Sequence, residues 1–341
     1  FEDIIIKMLI WLYCFGMLVV PTIVGLLPLM IMSSKSTINM LSLFGAGMLT
    51  GAAFIIIMPE ASVTLFESFS SPIESNGETL NTISSGAMEK VALIMGGSIT
   101  FGFLLMLSID KMFVSEHQHS EEEEIEISQQ DMLLEDMNNN QNDSQDIIKS
   151  QNKQMYQTFS EGSSEITEEK CQSVFVTLIG MIIHSITDGI SFGCVSFASH
   201  NKPGKNFELI IFLAMILHKI PASVGLSSFM ISQKTKTETL IRYLLAFTSS
   251  SPLSALLTYY ILYEIKNRLN ESDDMMTIVG IFLFISAGTF IYVALMHILP
   301  EVLENINKKK NTIKGNFINK QTQIGLMILG CCTPFLVHLL E

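Results

Sequence analysis

The chain has 341 residues, of which 48% are hydrophobic and only 16% are charged. Its formal net charge of −13 is concentrated in one stretch, because residues 115–170 carry 15 acidic residues against 3 lysines. The remainder is nearly neutral and has no basic face, which excludes a nucleic-acid binder. Apolar runs of about 20 residues argue against a soluble enzyme. Composition therefore predicts a membrane-embedded body with one acidic insert.

Eight apolar runs are long enough to cross a bilayer, which takes about 20 helical residues. They predict an all-α polytopic membrane protein with spans 1–3 in residues 1–112, a cytosolic loop in 113–170 and spans 4–8 in 171–341. The loop is rich in Glu, Gln, Asn and Ser, so we expect it to be disordered. The predicted spans are 8–30, 37–58, 87–110, 172–198, 207–231, 239–263, 276–303 and 320–340.

The connections between the predicted spans differ in their basic residues. Thirteen lysines and arginines fall on one side of the membrane and six on the other. Cytosolic connections carry the excess of positive charge. The thirteen-residue side is therefore predicted to be cytosolic, together with the acidic loop, and both termini are predicted to be extracellular or lumenal.

Spans four and five carry ionisable residues at similar depth, where charge is costly and usually functional. His184 and Asp188 are four residues apart and share one helix face. An imidazole and a carboxylate one turn apart suit a borderline cation such as Zn²⁺. Span five carries His218 and Lys219 just before Pro221, which opens a helix. We expect the two motifs to face each other.

Further candidate ligands occur at three other places. Glu60 follows a proline in span two, and His297 and Glu301 flank a proline in span seven. Because the two spans run in opposite directions, their similar ends indicate an inverted repeat of three, two and three helices. They also suggest ligands at an entrance and an exit. In the acidic loop, His117 and His119 precede a run of glutamates and form either a solvated linker or a weak metal-collecting segment.

The motifs resemble the ZIP (Zrt/Irt-like) family of divalent metal transporters over nearly the whole chain outside the loop. Span four reads His184-Ser185-Ile186-Thr187-Asp188-Gly189, against a family signature of approximately His-Asn-x-x-Asp-Gly. Span five reads His218-Lys219-Ile220-Pro221-Ala222-Ser223, against His-Glu-x-Pro-His-Glu. The version with Lys and Ala resembles the family branch that contains zinc transporter ZIP member nine.

The resemblance implies a site at the bilayer midplane with His184, Asp188 and His218 as primary metal ligands. Ser185 and Lys219 stand at positions that often bind a second metal, so the changed residues indicate a single one. The resemblance further implies that Zn²⁺ is moved into the cytosol as a substrate, with no cofactor and no enzymatic activity.

Two rival functions stay open at this stage. One is a metal-binding receptor or scaffold that has lost transport, and the other is an intramembrane zinc hydrolase, although HExxH is absent. The transported ion could also be Fe²⁺, Mn²⁺ or Cd²⁺. The lipid bilayer is the expected surrounding, in the Golgi or the plasma membrane, and a homodimer stays open.

Overall fold

A computed structural model describes residues 2–31, 35–75, 78–82, 84–138, 173–199, 207–265, 275–304 and 320–338. Long helices dominate these ranges. The helices are α1 (Glu2–Ile31), α2 (Lys35–Ala52), α3 (Met58–Phe69), α4 (Ser85–Asn138), α5 (Ser173–Ser199), α6 (Phe207–Ser232), α7 (Thr237–Ile265), α8 (Met275–Tyr292) and α9 (Lys320–His338), and the strands are β1 (Ser71–Ser75) and β2 (Glu78–Thr82).

The helices suit an apolar surrounding, since a helix satisfies its backbone N–H and C=O groups internally. The last of them, α9, has 19 residues, lies at the position of the eighth predicted span and packs against α2. The predicted all-α polytopic membrane architecture is thus confirmed. Among the described residues, seven helical spans are long and apolar enough to cross a membrane: Met8–Met30, Thr37–Phe69, Ser85–Met112, Ser173–Ser199, Glu208–Ser232, Thr237–Ile265 and Met275–Glu304.

Span two does not end at residue 58 as expected, and both span two and span seven stay helical through their Pro-Glu pairs. The α2 helix passes through a π-helical turn, Ala53–Ile57, into α3. The α8 helix passes through a similar turn, Val293–Ile298, and stays helical to Glu304. In both cases a proline, Pro59 or Pro300, follows the turn by two residues. A proline ring crowds the carbonyl one turn earlier, and the wider π turn accommodates it without ending the helix.

The acidic insert begins as helix rather than as disordered chain. The α4 helix continues to Asn138, so the expected disorder is wrong for residues 113–138, while 139–172 lie outside the described residues. The physical reason is that Glu, Gln, Leu and Met favour helix, and extending an existing helix needs no new nucleus. The chain divides into two compact units, of which Leu107–Val176 is the smaller.

A small β-hairpin is the exception to the all-α description. Strands β1 and β2 pair antiparallel after α3, with Ser71 opposite Thr82 and Ser75 opposite Glu78. The sequence between the strands is Asn76-Gly77, a dipeptide that favours two-residue hairpins. The hairpin was missed because it is too short to stand out beside the apolar spans.

Close packing of α5, α6 and α7 with their neighbours forms the interior of the larger unit. The α6 helix packs against α1, α2 and α7. The α5 helix approaches α7 at Gly189, where an added Cβ would collide with the carbonyl oxygen of Ser251. Only glycine permits this approach, which brings the polar face of α5 close to α7.

Candidate metal centre

The first half of the centre comes from α5. His184 and Asp188 lie one helical turn apart, and both side chains are fully buried. The His184 ring packs on Phe290 with ring centroids 4.4 Å apart. Burial of an imidazole beside a carboxylate among apolar helices is costly unless the groups bind each other or a cation.

The second half comes from α6, which stays helical through Pro221. His218 and Lys219 are adjacent, yet both side chains reach α5. The Nδ1 of His218 donates to the carbonyl oxygen of Ala214 at 2.8 Å. This hydrogen bond to its own helix fixes the ring and directs Nε2 towards α5.

The two halves meet at one carboxylate oxygen, Oδ2 of Asp188. The Nε2 of His218 lies 2.9 Å from it, and the Nε2 of His184 lies 3.4 Å away. Lys219 places its Nζ 3.4 Å from the same oxygen. One ligand atom from each of His184, Asp188 and His218 lies within 4.8 Å of the others, and the described residues contain no other group of three such side chains. The structure therefore brings the three predicted primary ligands together.

Ser185 binds the protein's own cation. Lys219 Nζ donates to the Ser185 hydroxyl at 2.8 Å, and that hydroxyl donates to the carbonyl oxygen of Phe247 at 3.0 Å. The ammonium also lies 5.2 Å from the centre of the Phe247 ring, within reach of a cation–π interaction. The side chains at the two predicted second-site positions, Ser185 and Lys219, thus bind each other.

Ser286 of α8 is a site residue that sequence reasoning missed. Its hydroxyl lies 2.6 Å from His184 Nδ1 and 2.5 Å from Asp188 Oδ1, and the side chain is fully buried. A signal was present in the sequence, because Ser286 is the one polar residue in the apolar run 278–288. Without the helix packing, nothing related that serine to α5.

One further observation indicates that the side chains of His184, Asp188 and His218 could bind a divalent metal. The Nε2 of His184 is buried and has no hydrogen-bond partner. A buried polar atom left unsatisfied is rare and costly. Two imidazole nitrogens around one carboxylate oxygen form the mixed N/O set that Zn²⁺ binds in proteins, with water completing the coordination.

The predicted entrance and exit residues lie apart from this group. Partly buried Glu60 lines a small pocket together with His218, Met215 and Leu283. His297 lies in the π-helical turn after α8, and Glu301 follows it; neither belongs to the three-residue group. For the loop positions His117 and His119, only the helical backbone of α4 falls within the described part of the chain.

Helices long enough to span a membrane that share a buried cluster of imidazole and carboxylate groups define a polytopic membrane protein with an ionisable centre. A family model for the ZIP zinc transporters matches residues 8–338. The chain therefore belongs to the ZIP family, whose members are transporters, and it is an integral membrane protein.

Individual relatives agree with this assignment. Zinc transporter ZIP9-B of Xenopus laevis is 27% identical over 339 residues, covering 95% of each chain. Zinc transporter ZIP9 of Micropogonias undulatus is 25% identical over 342 residues, covering 94% of each. Zinc transporter ZIP9 of Macaca fascicularis is 31% identical over 159 residues, which is 47% of this chain and 65% of the relative. The resemblance seen in the span-four and span-five motifs is confirmed.

Proposed function

We propose that this protein transports Zn²⁺ across a membrane through His184, Asp188 and His218. The observation that carries the proposal is the convergence of two imidazole nitrogens on one buried carboxylate oxygen, on helices long enough to span a bilayer. The names of the relatives support zinc as the transported ion. Zn²⁺ binds as substrate and leaves again, so the site needs no resident cofactor.

The chemistry of the site favours zinc over harder ions. Two nitrogen donors suit Zn²⁺ better than Mn²⁺, which prefers oxygen ligands, whereas Cd²⁺ and Fe²⁺ are plausible competitors. Zinc has to separate His218 Nε2 from Asp188 Oδ2, which lie 2.9 Å apart, because both atoms turn their lone pairs to the metal when they bind it. Binding therefore exchanges one local arrangement of α5 and α6 for another.

The site holds one zinc ion rather than two in this proposal. Lys219 occupies the space beside Ser185 and Asp188 with a positive charge of its own. A second divalent cation there would face electrostatic repulsion at short range in a medium of low polarity. The ammonium thus stands in for a second metal.

Zinc moves towards the cytosol in this proposal. Glu60 and His218 line the same pocket, which supports Glu60 as an entrance ligand, with His297 and Glu301 on the exit side. The excess of basic residues in the predicted cytosolic connections supports extracellular or lumenal termini. The resemblance to the ZIP9 relatives favours the plasma membrane or the Golgi as the location. Zinc uptake measured separately in right-side-out and inside-out vesicles tests the direction, and faster export than import contradicts it.

Uptake of zinc into liposomes tests the function. The purified full chain should accumulate Zn²⁺ above protein-free liposomes, and His184→Ala and His218→Ala should each abolish most of that uptake. His338→Ala serves as a matched control, because His338 ends α9 and belongs to neither motif. Parent-level uptake by both site variants would exclude the site, and zinc binding without uptake would favour a receptor.

A further inference from the structure

Ser286 joins two metal ligands from a third helix. Its hydroxyl oxygen lies within hydrogen-bond distance of His184 Nδ1 at 2.6 Å and of Asp188 Oδ1 at 2.5 Å. The same His184 nitrogen lies 3.3 Å from the carbonyl oxygen of Ser286. All of these groups are buried, so water does not compete for them.

For a neutral His184 imidazole and an ionised Asp188 carboxylate, only one arrangement of protons satisfies these contacts. An ionised carboxylate can only accept, so the Ser286 hydroxyl donates to Asp188 Oδ1. The hydroxyl oxygen is then free to accept from His184, whose Nδ1 must carry the proton. The Ser286 carbonyl requires the same assignment, because a carbonyl also only accepts. The result is a chain of donors from His184 through Ser286 to Asp188.

This chain leaves a lone pair on His184 Nε2. That nitrogen lies 3.4 Å from Asp188 Oδ2 and has no hydrogen-bond partner. Two electron-rich atoms therefore face each other in a buried space, an arrangement that a cation between them would stabilise. The hydrogen bonds of Ser286 explain why this nitrogen is unsatisfied, and they select the nitrogen and the carboxylate oxygen that point into the site.

We propose that Ser286 is a positioning residue for the transported metal. Resting on the proposed function, the inference is that the serine holds His184 in the tautomer with a free Nε2 and holds Asp188 with Oδ2 towards the metal. It binds no metal itself. Groups that orient metal ligands in this way typically contribute about 10- to 100-fold to metal affinity.

Zinc affinity of the purified full chain in detergent, measured by competition with a chromophoric chelator, tests the inference. Ser286→Ala should weaken zinc binding by about 10- to 100-fold. Ser286→Thr and Ser286→Val have nearly the same shape, and only Thr keeps the hydroxyl. The Ser286→Thr protein should bind zinc more tightly than the Ser286→Val protein, even if both side chains fit the core imperfectly. The half-saturating zinc concentration for uptake should rise in parallel.

Ser191→Ala is the matched control. Ser191 is also fully buried, but its hydroxyl donates to the carbonyl oxygen of Thr187 on its own helix. Its removal should leave zinc affinity unchanged. The thermal unfolding temperature of the metal-free variants reports a purely structural role, which would lower that temperature without changing the dissociation constant of the folded protein.

Equal zinc affinities for the Thr and Val variants, or parent affinity in Ser286→Ala, would overturn the positioning role. The proposed function fails differently, through parent-level zinc binding in His184→Ala and His218→Ala. Loss of binding in the histidine variants together with unchanged binding in the Ser286 variants would therefore reject the positioning role alone.

Discussion

Lys219 stands where the family signature of span five has a glutamate, and the structure shows which contacts the lysine makes. Its ammonium is fully buried, 3.4 Å from Asp188 Oδ2 and 2.8 Å from the Ser185 hydroxyl. A lysine in such a place needs a counter-charge. In the metal-free site, the carboxylate that zinc needs is thus already partly neutralised.

Lys219→Ala should tighten zinc binding by at least about tenfold. Removing one partner of a buried ion pair typically costs about 3–5 kcal/mol, because the other charge stays buried without a partner. Zinc would neutralise that charge on Asp188, and each 1.4 kcal/mol gained corresponds to about tenfold in affinity. Lys219→Glu should allow two zinc ions per chain. Affinity and stoichiometry by titration of purified protein measure both changes, with the exposed Lys236→Ala as control. Two tight zinc ions in the parent, or unchanged affinity in Lys219→Ala, contradict this account.

The sequence predicted which candidate ligands lie together better than it predicted the contacts around them. His184, Asp188 and His218 were expected from their spacing and depth, and the structure gathers them. The contact between Lys219 and Ser185 and the bridge through Ser286 depend on how three helices approach each other. Periodicity within one helix carries no information about that approach.

At the scale of helices, glycines decide which elements touch. The α2 helix lies so close to α9 that a Cβ at Gly47 would collide with the carbonyl oxygen of Met327. Small residues permit such backbone contact, and in membranes this packing replaces the hydrophobic effect between helices. In contrast, Gly97 of α4 is exposed and has open space around it.

Gly47→Val should lower the stability of the protein, whereas Gly97→Val should not. Inserting carbon atoms into a filled contact typically costs about 1–3 kcal/mol. The two substitutions are chemically identical, so their difference isolates the helix contact. The thermal unfolding temperature in detergent should fall for Gly47→Val alone. Equal temperatures for the two variants would show that the α2–α9 contact adapts without cost.

Helix positions followed from the apolar runs, but helix ends did not. The sequence analysis ended span two at residue 58, and the helix runs on to Phe69, whereas span seven, expected to end at residue 303, ends at Glu304. A local rule for proline assumes regular α geometry, whereas the π-helical turns before Pro59 and Pro300 change that geometry. The occurrence of a π-helical turn before the proline in both spans is consistent with an inverted repeat, and the repeat stays a prediction.

At the scale of the whole molecule, the acidic insert and the site belong to different parts of the chain. Leu107–Val176 forms one compact unit, and the site residues all lie in the other. The insert holds nearly all of the net negative charge of the protein. Such a composition is rich in charged and polar residues that favour contact with water.

Deletion of residues 120–165 should preserve folding, zinc affinity and zinc uptake. The deletion leaves every contact described for His184, Asp188, His218 and Lys219 intact. Truncation before Lys320 is the contrasting variant, because it removes α9 and its packing against α2 and should reduce the yield of folded protein. Size-exclusion profiles and liposome uptake measure both variants. Aggregation of the deletion variant would show that the insert helps the bundle to fold.

The sequence by itself determined the membrane-embedded helices and the family, and it singled out His184, Asp188 and His218, which the structure brings together. These properties depend on hydropathy over about 20 residues and on residue types four positions apart, both of which are local. Only the tertiary structure decided that Lys219 occupies the second-site position with Ser185, that the helices pass their prolines and that Ser286 of α8 holds two ligands. The π-helical turns carry the helices past their prolines. The contacts of Lys219 and Ser286 join residues more than 30 positions apart in the chain, where close packing rather than sequence pattern selects the neighbours.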